Sequence, residues 1–270
     1  MTVDILICTF NERINNVSNI LLPYNKSINY KISHQISTSA SIHIPDELIR
    51  PDVEIQQFSG IGLSFNRNNA LYMAKNDICI IADDDVVYNI KDIEKIISIF
   101  QENNIDILIG KIKTYKEEPQ YKNYSSKIKK LSWLDIGSVS SIEIAFRRES
   151  IINNHIIFDT NFGLKGHLYQ KGEEAVFLAD CLKKNLTIVY YPIFIVKHHY
   201  FSSGKISEFN QSEIEYWGAL SYRIFGHLSY LAMCFFMIKH HSAYHRKMST
   251  NKYITYFLGG INHFKSNRNA

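Results

Sequence analysis

The chain has 270 residues, 46% hydrophobic and 21% charged, so it is long enough and apolar enough to bury a sizeable core. Its formal net charge of +4 is too small to indicate nucleic-acid binding, and no uncharged apolar run reaches the length of about 18 residues typical of a membrane-spanning helix. The N-terminus lacks the basic region of a signal peptide, and the separated cysteines form no CxxC pair, which predicts free thiols in a reducing cytosol.

Apolar runs and amphipathic segments alternate through about the first 110 residues. Strands are predicted at "VDILICTF", "INYKISHQIS", "DVEIQQFS", "DICIIADDD" and "IDILIGKI". Helical spacing occurs in "NERINNVSNILLPYN", "SFNRNNALYMAKN" and "NIKDIEKIISIFQENN", with Ser64 as the expected N-cap of the second helix. This alternation predicts an open, mainly parallel α/β sheet flanked by helices, in which ligands bind beyond the carboxyl ends of the strands.

The remaining sequence is less regular. A strand that enters a helix is predicted at "SSIEIAFRRESI", a helix at "GEEAVFLADCLKKN", and one or two strands followed by a polar loop at "LTIVYYPIFIVKHHYFSSG". From about Glu213 onward the pattern is helical and aromatic. We therefore expect an α/β domain over residues 1–212 and a helical, aromatic and basic extension over residues 213–270.

Three adjacent aspartates, Asp83, Asp84 and Asp85, end the fourth predicted strand. Adjacent carboxylates repel one another, so either a cation is bound there or the turn is merely acidic, and the position at a strand end favours a site. Oxygen ligands select Mg²⁺ or Mn²⁺, and Mg²⁺ is usually held by one or two carboxylates together with substrate phosphates. The aspartates therefore predict a phosphate-bearing substrate, such as a nucleotide or a nucleotide-sugar. Since neither a Walker A sequence nor GxGxxG is present, metal and basic side chains would hold the phosphates.

A resemblance to a known family emerges from the order of the motifs. The segments "ILICTFNER", "GIGLSFNRNNAL", "IIADDDVVY", "GEEAVFLADCLKKN" and "PIFIVKHHYFSSG" follow one another as in family 2 glycosyltransferases of the GT-A fold, over about residues 3–205. The resemblance implies a Rossmann-like sheet, a nucleotide-diphosphate-sugar donor, most commonly a UDP-sugar, and inversion at the anomeric carbon. It also implies a nucleotide-sugar-binding half over about residues 1–112 and an acceptor half over about residues 113–212.

The resemblance assigns residues to the nucleotide. The end of the first strand would line the base and ribose pocket, the end of the second strand could reach the base edge, and an Arg-Asn pair would lie near the nucleotide. These residues are Thr9, Asn11 and Glu12, then Gln35, and then Arg67 and Asn68.

The same resemblance assigns residues to a metal ion, Mn²⁺ or Mg²⁺. Asp83 and Asp84 would contact ribose and metal-bound phosphate, and Asp85 would be the direct metal ligand, with Asp83 as a second candidate. Which two of the three aspartates act is open. His198 matches a histidine that some relatives use as a further ligand, and His199 is its rival.

A catalytic base is implied at Glu174, which matches the second acid of the family's acidic pair, with Glu173 as the alternative. The helix dipole alone could explain two acids at a helix start. As a base, the carboxylate would remove the proton of an acceptor hydroxyl, while the metal offsets charge on the departing diphosphate. This predicts a single displacement without a covalent intermediate.

The C-terminal extension allows two interpretations. Residues 213–248 could lie in a membrane interface, with aromatic residues at the headgroups and basic residues on anionic lipid, or form a helical pair packed on the catalytic domain or on a second subunit. The first suits a lipid-linked acceptor in surface-polysaccharide or glycoconjugate synthesis and a place at the inner face of the membrane, and the second suits the cytoplasm. The acceptor is expected to be a saccharide or a lipid-linked saccharide, and the oligomeric state is open.

Three functions from different classes remain. The first is the inverting, metal-dependent glycosyltransferase, of hexosyltransferase type. The second is a haloacid-dehalogenase-type phosphatase or phosphotransferase with Asp83 as nucleophile, because Asp83-x-Asp85-x-Val87 fits the DxDx[TV] signature, although the motif ends a late strand. The third is a non-catalytic carbohydrate-binding protein of the same fold, against which the intact acidic groups argue.

Overall fold

The computed structural model describes residues 1–37, 42–200 and 209–268. Its contacts divide the chain into two compact units, Met1–Thr160 with Glu173–Phe201 and Asn161–Gly172 with Ser202–Ala270. The C-terminal helices thus share their unit with a short segment from the middle of the chain. Most of the polar loop expected after His199 falls in residues 201–208, which lie outside the described residues.

The first unit is built on an eight-stranded sheet. Its strands are β1 (Val3–Phe10), β2 (Ile28–Ile36), β3 (Val53–Ser59), β4 (Ile78–Asp83), β5 (Ile107–Lys113), β6 (Lys129–Lys130), β7 (Ile144–Arg147) and β8 (Ile188–Lys197). They lie in the order β3-β2-β1-β4-β7-β5-β8-β6. The pairs β1–β2, β1–β4, β2–β3 and β5–β8 are parallel, while β7 runs antiparallel between β4 and β5, and β6 is antiparallel to β8. The prediction of an open, mainly parallel α/β sheet is confirmed.

The helices of this unit are α1 (Leu63–Met73), α2 (Ile90–Glu102), α3 (Arg148–Ile152) and α4 (Glu173–Lys183). The predicted N-cap at Ser64 is wrong, because α1 begins at Leu63 and Ser64 is buried in its first turn. Gly62 occupies the cap position with a φ of 109°, a conformation that favours glycine. The segment Asn11–Ile20 is helical as expected, but it is a 3₁₀-helix.

The core of the first unit covers both faces of the sheet. Residues of β1 are buried almost throughout, as in a central parallel strand. On one face an aromatic cluster joins β7 to α4, because Phe177 stacks on Phe158 at 4.5 Å between ring centroids and lies 5.7 Å from Phe146. This packing fixes α4 against the sheet and so determines where its acidic first turn lies.

The second unit contains α5 (Gln211–Phe225), α6 (Ser229–Lys239), α7 (His241–Tyr244) and α8 (Thr250–Asn267). Two glycines let α5 and α8 approach closely. A Cβ atom at Gly218 would lie 2.0 Å from the carbonyl oxygen of Phe257, and one at Gly260 would lie 1.8 Å from that of Glu215. The predicted C-terminal helical extension is confirmed. None of the described helices is both long and apolar enough to cross a bilayer.

Candidate active site

The carboxyl ends of β1 and β4 lie side by side, since Cys8 is the register partner of Asp83. One residue further on, the hydroxyl of Thr9 donates to Oδ2 of the buried Asp84 at 2.8 Å. The side-chain amide of Asn66 in α1 donates to the Thr9 carbonyl at 3.0 Å. The parallel register therefore brings Thr9 to the acidic end of β4, where Asp84 is buried and Asp85 is about half-exposed. We call the site formed by Thr9, Asp84 and Asp85 the acidic corner.

Arg13 completes this corner, and it was not among the residues predicted from the sequence. Its Nε donates to both carboxylate oxygens of Asp84 at 2.9 Å, and its terminal nitrogen contacts Asp84 and also Oδ2 of Asp85 at 3.1 Å. The hydrogen bond to Asp84 is the main cause of a raised Arg13 pKa, against the lowering effect of burial. Arg13 stands in the "FNER" motif, but only the folded 3₁₀-helix shows which carboxylates it reaches.

Asp85 meets His198 at the end of β8. The Nε2 atom of His198 lies 3.3 Å from Oδ1 of Asp85. The two are brought together by an antiparallel backbone bridge, in which Val87 and Lys197 exchange hydrogen bonds of 2.9 and 2.8 Å. The hydrogen bond between the two side chains lowers the pKa of Asp85 and raises the pKa of His198.

The two adjacent histidines face different partners. The Nδ1 atom of His198 lies 2.7 Å from the carbonyl oxygen of His199, which leaves its Nε2 atom facing Asp85. His199 instead contacts Oε1 of Glu118 through Nδ1 at 2.8 Å and stacks on Tyr115 at 4.2 Å between centroids. Of the two, His198 is therefore the one that joins the acidic corner.

Arg67 links the acidic end of β4 to the start of α4. The guanidinium is buried, and it donates to Oε1 of Glu173 at 2.7 Å and to Oδ1 of Asp83 at 3.3 Å. It also lies over the Phe158 ring at 5.6 Å. Burial alone would lower the pKa of Arg67, but the carboxylates of Glu173, Asp83 and Glu174 raise it overall. One buried cation thus holds together two acidic motifs that are far apart in the sequence.

The two acids that open α4 differ in their surroundings. Glu173 is buried and paired with Arg67. Glu174 is half-buried, and its Oε2 is a buried oxygen with no hydrogen-bond partner among the described residues. Burial, followed by the neighbouring Glu173 carboxylate, raises the pKa of Glu174 from 4.5 to about 8. Of the two, Glu174 therefore presents a carboxylate oxygen that no described residue occupies, whereas Glu173 is held by Arg67.

The other residues predicted at the nucleotide lie around the ends of β1 and β2. Asn11 has a φ of 48°, and its side-chain amide is bonded to Ser37 at 2.7 and 2.9 Å. Gln35 is buried at the end of β2, and its Nε2 has no hydrogen-bond partner within the described residues. Glu12 is exposed at the start of the 3₁₀-helix.

Asn68 is placed differently from these residues. Its side-chain amide donates to the Phe158 carbonyl and accepts from the Phe158 N–H, both at 2.8 Å. Both functions of the amide are therefore used within the protein. This anchors α1 to the segment around Phe158, which also lies under Arg67.

Among the described residues, no group of three or more His, Cys, Asp or Glu is arranged to hold a metal ion. The acidic corner instead offers the pair formed by Asp85 and His198, with Asp83 nearby on β4. A cation bound there would need further ligands from a substrate or from water.

The first unit is a mainly parallel α/β sheet with acidic side chains at its strand ends. Comparison with known proteins gives the family. The model of glycosyl transferase family 2 matches residues 4–169, more than half of the chain, and the chain belongs to this family. The resemblance inferred from the sequence is confirmed. Of the three functions considered, family membership supports the glycosyltransferase.

Solved structures share the fold. A crystal structure of S. aureus TarS 1-349 has 14% identity and a TM-score of 0.60, with 97% of this chain and 81% of that chain covered. The same fragment in complex with UDP-GlcNAc has 15% identity, a TM-score of 0.61 and coverages of 97% and 82%. Its complex with UDP has 15% identity, a TM-score of 0.60 and coverages of 97% and 81%. No curated protein matches the sequence.

Proposed function

We propose that this chain is an inverting glycosyltransferase that moves a sugar from a UDP-sugar to a hydroxyl group of a saccharide or lipid-linked acceptor, in the synthesis of a surface polysaccharide or glycoconjugate. The observation that carries the proposal is the Arg67 bridge from Asp83 to Glu173, which brings the acidic strand end and the acid pair into one site. Membership of glycosyl transferase family 2 and the UDP-GlcNAc complex of TarS support the choice of donor.

The nucleotide would lie across the ends of β1 and β2. Thr9 and Asn11 border this region, and the amide nitrogen of Gln35, which has no hydrogen-bond partner among the described residues, offers a buried donor to a base edge. A buried polar group without a partner costs about 1–3 kcal/mol, so a ligand atom that accepts from Gln35 would gain binding energy from it. Asp84 would orient Thr9 and Arg13 at the ribose and phosphate end.

Asp85 and His198 would hold a divalent cation, Mn²⁺ or Mg²⁺. They present an oxygen and a nitrogen 3.3 Å apart, and the other ring nitrogen of His198 is bonded to a backbone carbonyl, as is usual for a metal-ligating histidine. A single carboxylate such as Asp85, with substrate phosphates and water at the remaining positions, matches the way proteins bind Mg²⁺. Bound there, the ion would act as a Lewis acid that offsets charge on the departing diphosphate.

Glu174 would be the catalytic base and Glu173 a positioning residue. The Arg67 contact holds the Glu173 side chain in place, whereas Oε2 of Glu174 has no hydrogen-bond partner among the described residues. Once Glu174 has lost the proton that it holds below about pH 8, this oxygen can accept the proton of an acceptor hydroxyl as the hydroxyl oxygen attacks the anomeric carbon. General-base catalysis of this kind contributes roughly 10²–10⁴-fold. The bond to the diphosphate breaks on the opposite side of the sugar ring, so the configuration inverts without a covalent intermediate.

A donor screen tests this function. The purified chain is incubated with UDP-, GDP- and other nucleotide-sugars, with and without Mn²⁺, and release of the nucleoside diphosphate is measured beside the thermal shift caused by each nucleotide. The proposal expects one nucleotide, UDP, to raise the Tm in a metal-dependent way and its sugar donor to be turned over. Stabilisation without any turnover would point to the non-catalytic carbohydrate-binding protein, and phosphate release from a generic ester without a nucleotide response would point to the phosphatase.

A further inference from the structure

The second unit exposes one apolar helix face. On α6 the exposed residues other than Lys239 are Tyr230, Leu231, Cys234, Phe235 and Ile238. Leu231 is 68% exposed and Ile238 80%, and Leu228, one turn before Leu231, is 64% exposed. These positions recur every three or four residues, so they form one continuous stripe. We call this stripe, Leu228 to Ile238, the α6 face.

The α6 face is not needed to hold α6 in place. The opposite side of the helix packs into the core of the second unit through Met233, Phe236 and Met237. Phe236 lies 6.0 Å from Trp217 of α5 between ring centroids. A helix that buries one apolar side and exposes another has a second surface to cover, and exposed apolar patches of this kind mark interaction sites.

The charge around the α6 face has a single sign. From Tyr216 to the C-terminus the sequence contains no Asp or Glu. It contains the basic residues Arg223, Lys239, Arg246, Lys247, Lys252, Lys265 and Arg268.

Two of these cations border the stripe. Nζ of Lys265 lies 3.4 Å from the hydroxyl of Tyr230, and Nζ of Lys239 lies 5.8 Å from the ring centroid of Phe235. The apolar surface therefore has a positive ammonium group near each end.

We propose that the α6 face is a docking surface for an anionic phospholipid membrane, on which α6 lies parallel to the bilayer plane. Apolar side chains would enter the boundary between headgroups and acyl chains, and the flanking lysines would contact lipid phosphates. The 11 residues of α6 extend roughly 16 Å at 1.5 Å per residue, about half of a bilayer's hydrocarbon thickness, so the helix can lie on a membrane but not cross it.

The charge distribution favours lipid over a second copy of this chain. A symmetric dimer through the α6 face would place the same residues of both copies against each other. Lys239 and Lys265 would then meet cations of the same segment, with no acidic residue between Tyr216 and the C-terminus to pair with them. An anionic lipid surface supplies the missing charge. This inference does not depend on the donor or the reaction proposed above.

Vesicle sedimentation tests the proposal on the full chain. Wild type is expected to sediment with phosphatidylcholine vesicles that contain phosphatidylglycerol, several-fold less with phosphatidylcholine alone, and less again at high salt, which screens surface charge. The double variant L231S/I238S should lose at least about tenfold in binding, since both side chains would otherwise be buried in the interface. The matched control I49S/L134S alters two equally exposed apolar residues of the first unit and should bind as wild type does.

Cys234 provides a second measurement. It is the exposed cysteine of the α6 face, whereas Cys8, Cys79 and Cys181 are buried. An environment-sensitive fluorophore attached there should shift to the blue on addition of phosphatidylglycerol-containing vesicles. Absence of both sedimentation and a spectral shift in wild type would overturn the proposal. So would vesicle binding that L231S/I238S leaves unchanged, or a dimer in solution that this variant converts to a monomer without any effect on vesicles.

Discussion

Replacing Arg67 by methionine should destabilise the first unit strongly. Arg67 is buried and is the salt-bridge partner of the buried Glu173 at 2.7 Å. Removing one member of a buried pair leaves the other as an uncompensated buried charge, which typically costs about 3–5 kcal/mol. Asp83 loses the same partner, but its side chain is 38% exposed and water can solvate it, so most of the cost arises at Glu173.

The double variant R67M/E173Q isolates this effect. It removes both charges, and apolar or neutral replacement of a whole buried pair is often close to neutral in stability. We therefore expect the double variant to recover most of what R67M loses. Arg246 is exposed, and the control R246M should change the free energy of unfolding by no more than about 0.5 kcal/mol.

Urea unfolding of wild type, R67M, E173Q and R67M/E173Q forms a double-mutant cycle that measures the coupling between Arg67 and Glu173 directly. A coupling of several kcal/mol supports the buried bridge between β4 and α4. If R67M loses less than about 1 kcal/mol, or if R67M/E173Q is as unstable as R67M, the bridge does not join the two motifs and the reasoning fails.

Three further predictions address individual contacts. The pKa of Glu174 is raised from 4.5 to about 8 in the folded chain. Between these pH values the folded chain holds a proton that the unfolded chain has released. The free energy of unfolding should therefore fall as pH rises through this window. E174Q should flatten that slope in urea titrations from about pH 5 to 9, and an unchanged slope would remove Glu174 as its source. H198Q should weaken Mn²⁺-dependent UDP binding in calorimetry by about tenfold or more, while H199Q should not, and equal effects would contradict the assignment of His198. T9V should cost about 1 kcal/mol in thermal unfolding through the lost bond to Asp84, and a stability equal to wild type would show that Arg13 alone satisfies that carboxylate.

Much of the fold could be predicted because it depends on the local periodicity of apolar residues. The continuous apolar run of β1 and the single stripe of α2 give strand and helix directly, and alternation of the two implies parallel pairing. The position of Asp83 to Asp85 at the end of β4 follows from the same pattern. The antiparallel insertion of β7 between β4 and β5 could not be predicted, because it depends on pairing between distant segments rather than on the pattern of either strand.

The candidate site residues were chosen from their positions in the sequence, and the contacts between them were not predicted. The acids and histidines were proposed because each ends a strand or begins a helix. The contacts of Arg13 with Asp84 and of Arg67 with Glu173 join positions far apart in the chain, and side-chain reach decides them. Gly62 was missed as the cap of α1 because its role comes from a backbone angle that no neighbouring residue signals.

The central claim is that Glu174 removes a proton from the acceptor while the donor is held at the acidic end of β4. The most direct test is the rate of nucleoside diphosphate release by E174Q, with UDP affinity measured on the same sample. The account predicts a loss of about 10²–10⁴-fold in turnover with UDP affinity little changed. Transfer at the wild-type rate by E174Q would contradict it.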